Sequence, residues 1–220
     1  MFTPLLDNQH FEYSVGKILC IGRNYAAHAA ELNNPLPDTP VLFLKPSDAA
    51  CDLRQPIVIP ENKGSVHHEL ELAILIGRRL THATSEQVQA AVAGVGLGLD
   101  LTLRDIQSEL KDKGLPWERA KAFDGSCPLT PFVSASRVED WQALSFTLER
   151  NGVVQQEGNT SDMLHPILDL IAHMSASFTL NPGDVVMTGT PKGVGPLVVG
   201  DTLEATLGNW LACRTRVIAV

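Results

Sequence analysis

Basic residues are in short supply: 17 Lys and Arg stand against 25 Asp and Glu, for a formal net charge of −8. No Lys/Arg cluster offsets that balance, which argues against nucleic acid as a partner. No apolar run reaches the length that spans a bilayer, and the opening Met1-Phe2-Thr3-Pro4 lacks the basic and apolar regions of a signal peptide. The four cysteines (Cys20, Cys51, Cys127 and Cys213) are scattered, with no Cys-x-x-Cys pair, which suits a reducing compartment. Cys20 and Cys213 lie in apolar runs and read as buried thiols. These absences point to a cytoplasmic protein with neither a membrane segment nor a disulfide framework. No His/Cys spacing typical of zinc is visible either. What remains is ordinary globular composition, 44% hydrophobic and 19% charged over 220 residues, ample for one real core.

Residues 1–16 read as an arm or edge strand. An alternating strand at 17–21 leads into the polar corner Gly22-Arg23-Asn24-Tyr25 and a short helix at 26–32, ended by Asn33-Asn34-Pro35. Pro37 and Pro40 keep the next stretch extended, and short strands are expected at 41–44 and 56–59. Thr84 and Gln87 have capping-box spacing for a helix to about Ala93. Gly alternates with Val or Leu over 94–101, a strand that admits close backbone approach. Leu103, Ile106 and Leu110 mark the buried stripe of a helix stopping at Gly114. The segment 114–131 reads as an irregular loop carrying Trp117, Lys121, Phe123 and Asp124, and loops of that length are usually functional. A hairpin on a type I′ turn at Asn151-Gly152 joins 144–150 to 153–156. Ser161 is expected to cap a helix to about Ser175, with Pro166 near its first turn. Strands at 185–188, 202–207 and 211–220 close the chain. Many short strands and few helices make the fold mainly β with short helices, a sandwich or roll.

The chain is organised around residues 67–76, a run rich in Val, Ile and Leu that suits a strand buried on both faces. Strand period two puts Glu69 and Glu71 on one face, only about 7 Å apart along the backbone. Alone, Glu-x-Glu reads more readily as a strand end whose acids face water. Asp100 ends the Gly-rich strand and is the natural third ligand, although alone it would more readily be a helix cap or turn aspartate. Together the three form an all-oxygen set that suits Mg²⁺, Mn²⁺ or Ca²⁺ better than zinc. Three acids around one divalent ion leave a net charge of −1, so an anionic substrate needs further cations, with Arg23, Lys45, Arg104 and Lys121 as candidates. His28 and Glu31, three apart on one helix face, have the spacing of a general base and its orienting carboxylate, or of a solvated surface pair. His67 and His68 are neighbours of the site rather than ligands, since His-His-Glu-x-Glu is not the zinc pattern. Gly189 to Gly195 lacks Walker spacing. It either offers backbone N–H groups and the Thr190 hydroxyl to a carboxylate or is a plain hairpin turn.

In combination these segments resemble the fumarylacetoacetate hydrolase family, in its short acylpyruvate-hydrolase branch. The resemblance is carried by Gly22-Arg23-Asn24-Tyr25 with His28 and Glu31, then by 41–46, 67–76, 99–107, 114–123 and 182–195 with Gly200-Asp201. It runs in family order from about residue 17, so 17–220 is expected to be a single catalytic domain behind an arm at 1–16. It implies a mixed β-sandwich roll of the family's C-terminal-domain type, a homodimer, and Mg²⁺ or Mn²⁺ held by Glu69, Glu71 and Asp100. It also implies a His28–Glu31 dyad that activates water on a lid helix, Lys121 and Gln107 positioning substrate, and Arg104 and Thr190 contacting substrate carboxylates. Larger members place a further acidic ligand nearer the N-terminus, and no clear equivalent stands here. The implied substrate is a small keto acid. The main expectation is hydrolysis of a carbon–carbon bond in an acylpyruvate such as acetylpyruvate or fumarylpyruvate, through a pyruvate enolate. Decarboxylation or keto–enol tautomerisation of oxaloacetate at the same site is the alternative. A non-catalytic metal-binding protein would not need His28, Glu31 and Lys121 together.

Overall fold

The computed structural model describes residues 1–32 and 38–219. The expected helix stop at Asn33-Asn34-Pro35, together with Pro37 and the last strand residue Val220, lies outside them. An eight-stranded mixed sheet forms the centre. Its path is Val41–Lys45, Ile18–Gly22, Val185–Met187, Leu70–Ile76, Val92–Leu99, Cys127–Leu129 and Ala50–Asp52, with Val133–Ser134 also pairing with Val92–Leu99. A five-stranded sheet runs Val153–Asn159, Ser145–Arg150, Thr202–Leu207, Leu211–Ala219 and Ile57–Ile59. A small sheet of Thr102–Leu103, Val66–His68 and Gly195–Pro196 lies at the entrance to the central strand. The architecture is the mainly β sandwich roll with short helices that the sequence implies.

Side-chain parity explains the layering. Leu70, Leu72, Ile74 and Ile76 face the main core, alongside Val95, Leu97 and Leu99 of the next strand. Ala73 and Leu75 face a second, smaller core with Ile18, Cys20, Leu129, Phe132 and Met187, which Phe2, Leu6 and Phe11 of the N-terminal arm help to cover. On that second face the neighbouring strand carries glycine. A Cβ at Gly98 would come within 2.8 Å of the Met187 methyl and 2.9 Å of Leu129. The alternating Gly pattern is therefore a packing requirement of the smaller core.

Several expectations need redrawing. The run 67–76 is not one strand: Val66–His68 and Leu70–Ile76 belong to different sheets, and Glu69 sits at the break. Ser161 caps no long helix. It lies in a single 3-10 turn, Thr160–Asp162, and the helix is Ile167–Ser177 with Pro166 before its first residue. Segment 114–131 is not a bare loop, since it folds a helical turn Glu118–Lys121 and the strand Cys127–Leu129. The Thr84–Gln87 capping box forms, and so does the tight turn, with Asn151 and Gly152 both at positive φ. All four cysteines are free, and burial pushes the Cys51 and Cys213 thiols up to about 11, so they are poor nucleophiles.

Candidate active site

Glu69, Glu71 and Asp100 are buried, and one carboxylate oxygen from each lies within 4.8 Å of the others. The ladder pairs Leu70 with Leu99 and Glu71 with Gly98, so the two strands deliver their acids to one point. A backbone bond from Asp100 N–H to the Glu69 carbonyl, 2.8 Å, closes that end. Cations pack around the acids. Lys121 Nζ donates to Glu69 Oε2 at 2.9 Å and to Asp100 Oδ2 at 2.5 Å, and Arg104 Nη2 bonds Glu69 Oε1.

The electrostatics are uneven. Burial pushes the Glu69 carboxyl up, but Lys121, Arg104 and His28 together outweigh it and hold it well below the usual carboxylate range. Glu71 goes the other way: burial raises it first, then Asp100 and Glu69. Its Oε2 accepts Gly189 N–H at 2.7 Å, which offsets little of that repulsion. Asp100 Oδ1 is 2.8 Å from Lys45 Nζ without an aligned hydrogen bond. Three hard oxygens, one of them short of positive charge, fit a divalent cation. Burial opposes the charged form of Lys121, but Asp100 and Glu69 raise it further, so it stays an ammonium.

A cavity of about 40 Å³ opens beside the acids, with space for a few waters. His28, Gln107, Arg104, Arg23 and Thr190 all line it, so the structure gathers most of the expected residues around one space. His28 Nδ1 lies 3.3 Å from Glu31 Oε2, and Glu31 Oε1 accepts Gly193 N–H at 2.9 Å, which ties the short helix Ala26–Glu31 to the Gly-rich loop. Gln107 accepts from Arg104 Nη1 at 2.6 Å, leaving its amide N–H groups as what it can offer a substrate.

Two expected contacts are placed differently. Lys45 is fully buried behind Asp100 and does not line the cavity. Its ammonium donates to the carbonyls of Lys121 and Ser126 and to Ser126 Oγ, so it supports the acids from the rear and cannot touch substrate. Thr190 lines the cavity, but its hydroxyl donates to the Leu70 carbonyl at 2.8 Å and accepts from Gln156 Nε2 at 2.7 Å. The hydroxyl proton is thus committed to the protein.

The corner Gly22-Arg23-Asn24-Tyr25 owes its shape to Asn24. That buried side chain donates to Thr188 O at 2.9 Å and accepts from His165 N–H at 2.8 Å. With Asn24 anchored, Arg23 is held at φ +63, a conformation uncommon for a residue with a long side chain. Gly189 completes the fit, because a Cβ there would meet Asn24 Cβ at 2.7 Å.

Gln156 and Lys111 escaped the sequence reading. Gln156 reaches in from the outer sheet. Its Oε1 accepts Leu70 N–H at 2.9 Å, between Glu69 and Glu71, and lies 3.0 Å from His68 Nδ1, while Nε2 bonds Thr190 and the Pro191 carbonyl. Nothing local in a hairpin strand signals that. Lys111 lines the cavity seven residues after Arg104, a spacing that does mark one helix face. Gln156→Leu would leave Leu70 N–H and the Pro191 carbonyl buried without partners. It is expected to cost about 3 kcal/mol in urea denaturation and to weaken Mn²⁺ binding, and unchanged metal affinity would show that the acids do not depend on it.

Fold and site define an enzyme whose buried cavity holds three clustered carboxylates able to take a metal ion, ringed by basic side chains. The chain belongs to the fumarylacetoacetate hydrolase family: the family model described as fumarylacetoacetate (FAA) hydrolase C-terminal matches residues 17–218. It is 55% identical over 205 residues to oxaloacetate tautomerase YcgM of Escherichia coli (strain K12), across 92% of this chain and 94% of that one. It is 44% identical over 200 residues to the mitochondrial oxaloacetate tautomerase FAHD1 of Homo sapiens, across 91% and 90%. Among solved structures, fumarylpyruvate hydrolase from Pseudomonas aeruginosa in complex with Mn²⁺ and pyruvate has a TM-score of 0.91 at 32% identity, covering 100% of this chain and 98% of that one.

Proposed function

We propose that this enzyme interconverts the keto and enol forms of oxaloacetate, with Mg²⁺ or Mn²⁺ held by Glu69, Glu71 and Asp100. The observation that carries the reading is the gradient of similarity: the tautomerases stand at 55% and 44% identity, the fumarylpyruvate hydrolase at 32%. Acylpyruvate hydrolysis, the leading expectation from sequence, therefore becomes the second reading.

When bound, a divalent ion supplies Lewis acidity that draws electron density from the 2-keto group. The chain's own groups do the rest. Glu31 accepts from His28 Nδ1–H, which leaves Nε2 with a lone pair to take a proton from C3. The electrons of that C–H bond move into the carbonyl, and the Lys121 ammonium stabilises the charge that develops on oxygen. Protonation of that oxygen yields the enol with no atom lost. Arg104 binds carboxylate, and the apolar lining residues Leu32, Phe43 and Trp117, the last two in ring contact, limit water in the cavity.

The test monitors enol-oxaloacetate absorbance against acetylpyruvate cleavage in protein stripped with EDTA and reloaded with Mg²⁺. Ketonisation is expected to have the larger kcat/KM by at least tenfold. A larger value for acetylpyruvate cleavage would return the assignment to hydrolysis. We also propose a two-fold dimer in solution on the family resemblance. Sedimentation equilibrium should give twice the monomer mass at micromolar concentration, and the monomer mass would refute it.

A further inference from the structure

We propose that Arg23 and Lys111, which both line the cavity, clamp the second carboxylate of a short dicarboxylate and thereby suppress its decarboxylation. The proposal rests on the oxaloacetate reading and adds to it the group that selects between two fates of one substrate.

The placement comes from one helix and one strained corner. Arg104, Gln107 and Lys111 occupy positions i, i+3 and i+7 of the helix Arg104–Asp112, so they share a face. They span about 10 Å along the axis, beginning at Arg104, which bonds Glu69. Side chains on a helix lean toward its N-terminus, which tips Lys111 back over Gln107 and the cavity it lines. Arg23 joins the same lining from the corner that follows the strand Ile18–Gly22, at φ +63 beside the anchored Asn24. Burial lowers the Lys111 ammonium, and next Arg23 and Arg104 lower it further, as expected where cations crowd a common space. The cavity is lined by three carboxylates and four cations, Arg23, Arg104, Lys111 and Lys121. The lining alone is thus net positive by one charge, and a divalent ion adds two more. A dianion suits that balance better than a monoanion.

The chemical consequence concerns C4. Enolisation breaks a C3–H bond, sends its electrons into the 2-keto group and keeps both carboxylates. Decarboxylation breaks the C3–C4 bond instead. Those electrons go to the same carbonyl, C4 leaves as neutral CO₂, and C3 later takes a proton from solvent. Cations bound to the C4 carboxylate are satisfied throughout the first path and lose their charge partner along the second. They stabilise the ground state of decarboxylation relative to its transition state, which slows that path alone.

The test uses unreactive probes that differ by one carboxylate, L-malate and L-lactate, titrated calorimetrically into Mg²⁺-loaded protein. Wild type is expected to bind malate about ten- to a hundredfold more tightly, the usual worth of hydrogen bonds to a charged group. Lys111→Met should lose most of that preference with lactate affinity unchanged, and Lys111→Arg should restore it. With oxaloacetate, Lys111→Met should raise the ratio of CO₂ release to keto–enol exchange by about tenfold or more. Equal binding of malate and lactate by wild type, or a preference retained in Lys111→Met, overturns the clamp. The two readings fail separately. A malate preference lost in Lys111→Met with no tautomerase activity keeps the clamp and rejects the function, whereas tautomerase activity without a malate preference does the reverse.

Discussion

Glu71→Ala and Asp100→Ala proteins, reloaded with Mg²⁺ after EDTA treatment, are expected to show a loss in tautomerase kcat/KM of roughly a thousandfold or more. That scale comes from several kcal/mol of Lewis-acid stabilisation at about 1.4 kcal/mol per factor of ten. EDTA-stripped wild type should behave the same way until Mg²⁺ or Mn²⁺ is added. Full activity in stripped protein, or rescue by zinc alone, would remove the carboxylate centre from the mechanism. A stability effect of opposite sign should accompany the loss. The Glu71 carboxyl is raised in the folded protein by burial and by Asp100 and Glu69, from an ordinary value of 4.5. In metal-free protein the folded state therefore holds its proton more tightly than the unfolded chain does, and stability falls as pH rises above about 4.5 toward the raised value. Glu71→Gln removes that charge, keeps an acceptor for Gly189 N–H and should make the metal-free protein more stable at neutral pH. About 1–3 kcal/mol is the expected gain, on the scale of an uncompensated buried polar group. Urea denaturation at pH 5 and pH 8 checks both sign and slope.

His28→Ala is expected to lower tautomerisation by roughly a hundredfold or more, the usual worth of a general base. Mn²⁺ affinity should hold, because His28 faces the cavity and is not one of the three clustered carboxylates. Glu31→Gln should act in the same direction but less strongly. An amide can still orient the ring, but it does not stabilise the imidazolium, and it weakens the tie to Gly193 N–H. Oxaloacetate decarboxylation should fall less than tautomerisation in both variants, since it needs an electron sink more than a base. Wild-type exchange rates in His28→Ala, or loss of its Mn²⁺, would show that the ring has another task.

Local periodicity controls most of what was legible in the sequence. Period two placed Glu69 and Glu71 on one side of their chain segment even though the segment is two strands, because the break at Glu69 does not reverse the alternation. The short helix put His28 beside Glu31 for the same kind of reason. Contacts made across the sheets left no such trace. Lys45 carries a charge in a strand of otherwise apolar residues, which marks it as unusual, but only the fold shows its ammonium turned behind Asp100 and away from substrate. Gln156 looks like any strand glutamine until the outer sheet is laid against Leu70 and Thr190. Ser161 had the right residue type for a helix cap. Pro166, with its fixed φ and missing donor, is the better opening for the helix Ile167–Ser177.

The strand order of the central sheet also governs when the enzyme comes to exist. Leu70–Ile76 is flanked by Val92–Leu99 on one side and by Val185–Met187 on the other, so its second neighbour is made more than a hundred residues after it. Glu71 waits for Gly189 N–H, and Glu31 waits for Gly193 N–H. A nascent chain on the ribosome can finish the first of these pairings while the other edge of the ligand strand stays open and sticky. The acid-bearing strand is therefore sealed only once Val185–Met187 is in place, and a fragment ending before residue 185 is expected to expose that open edge and aggregate.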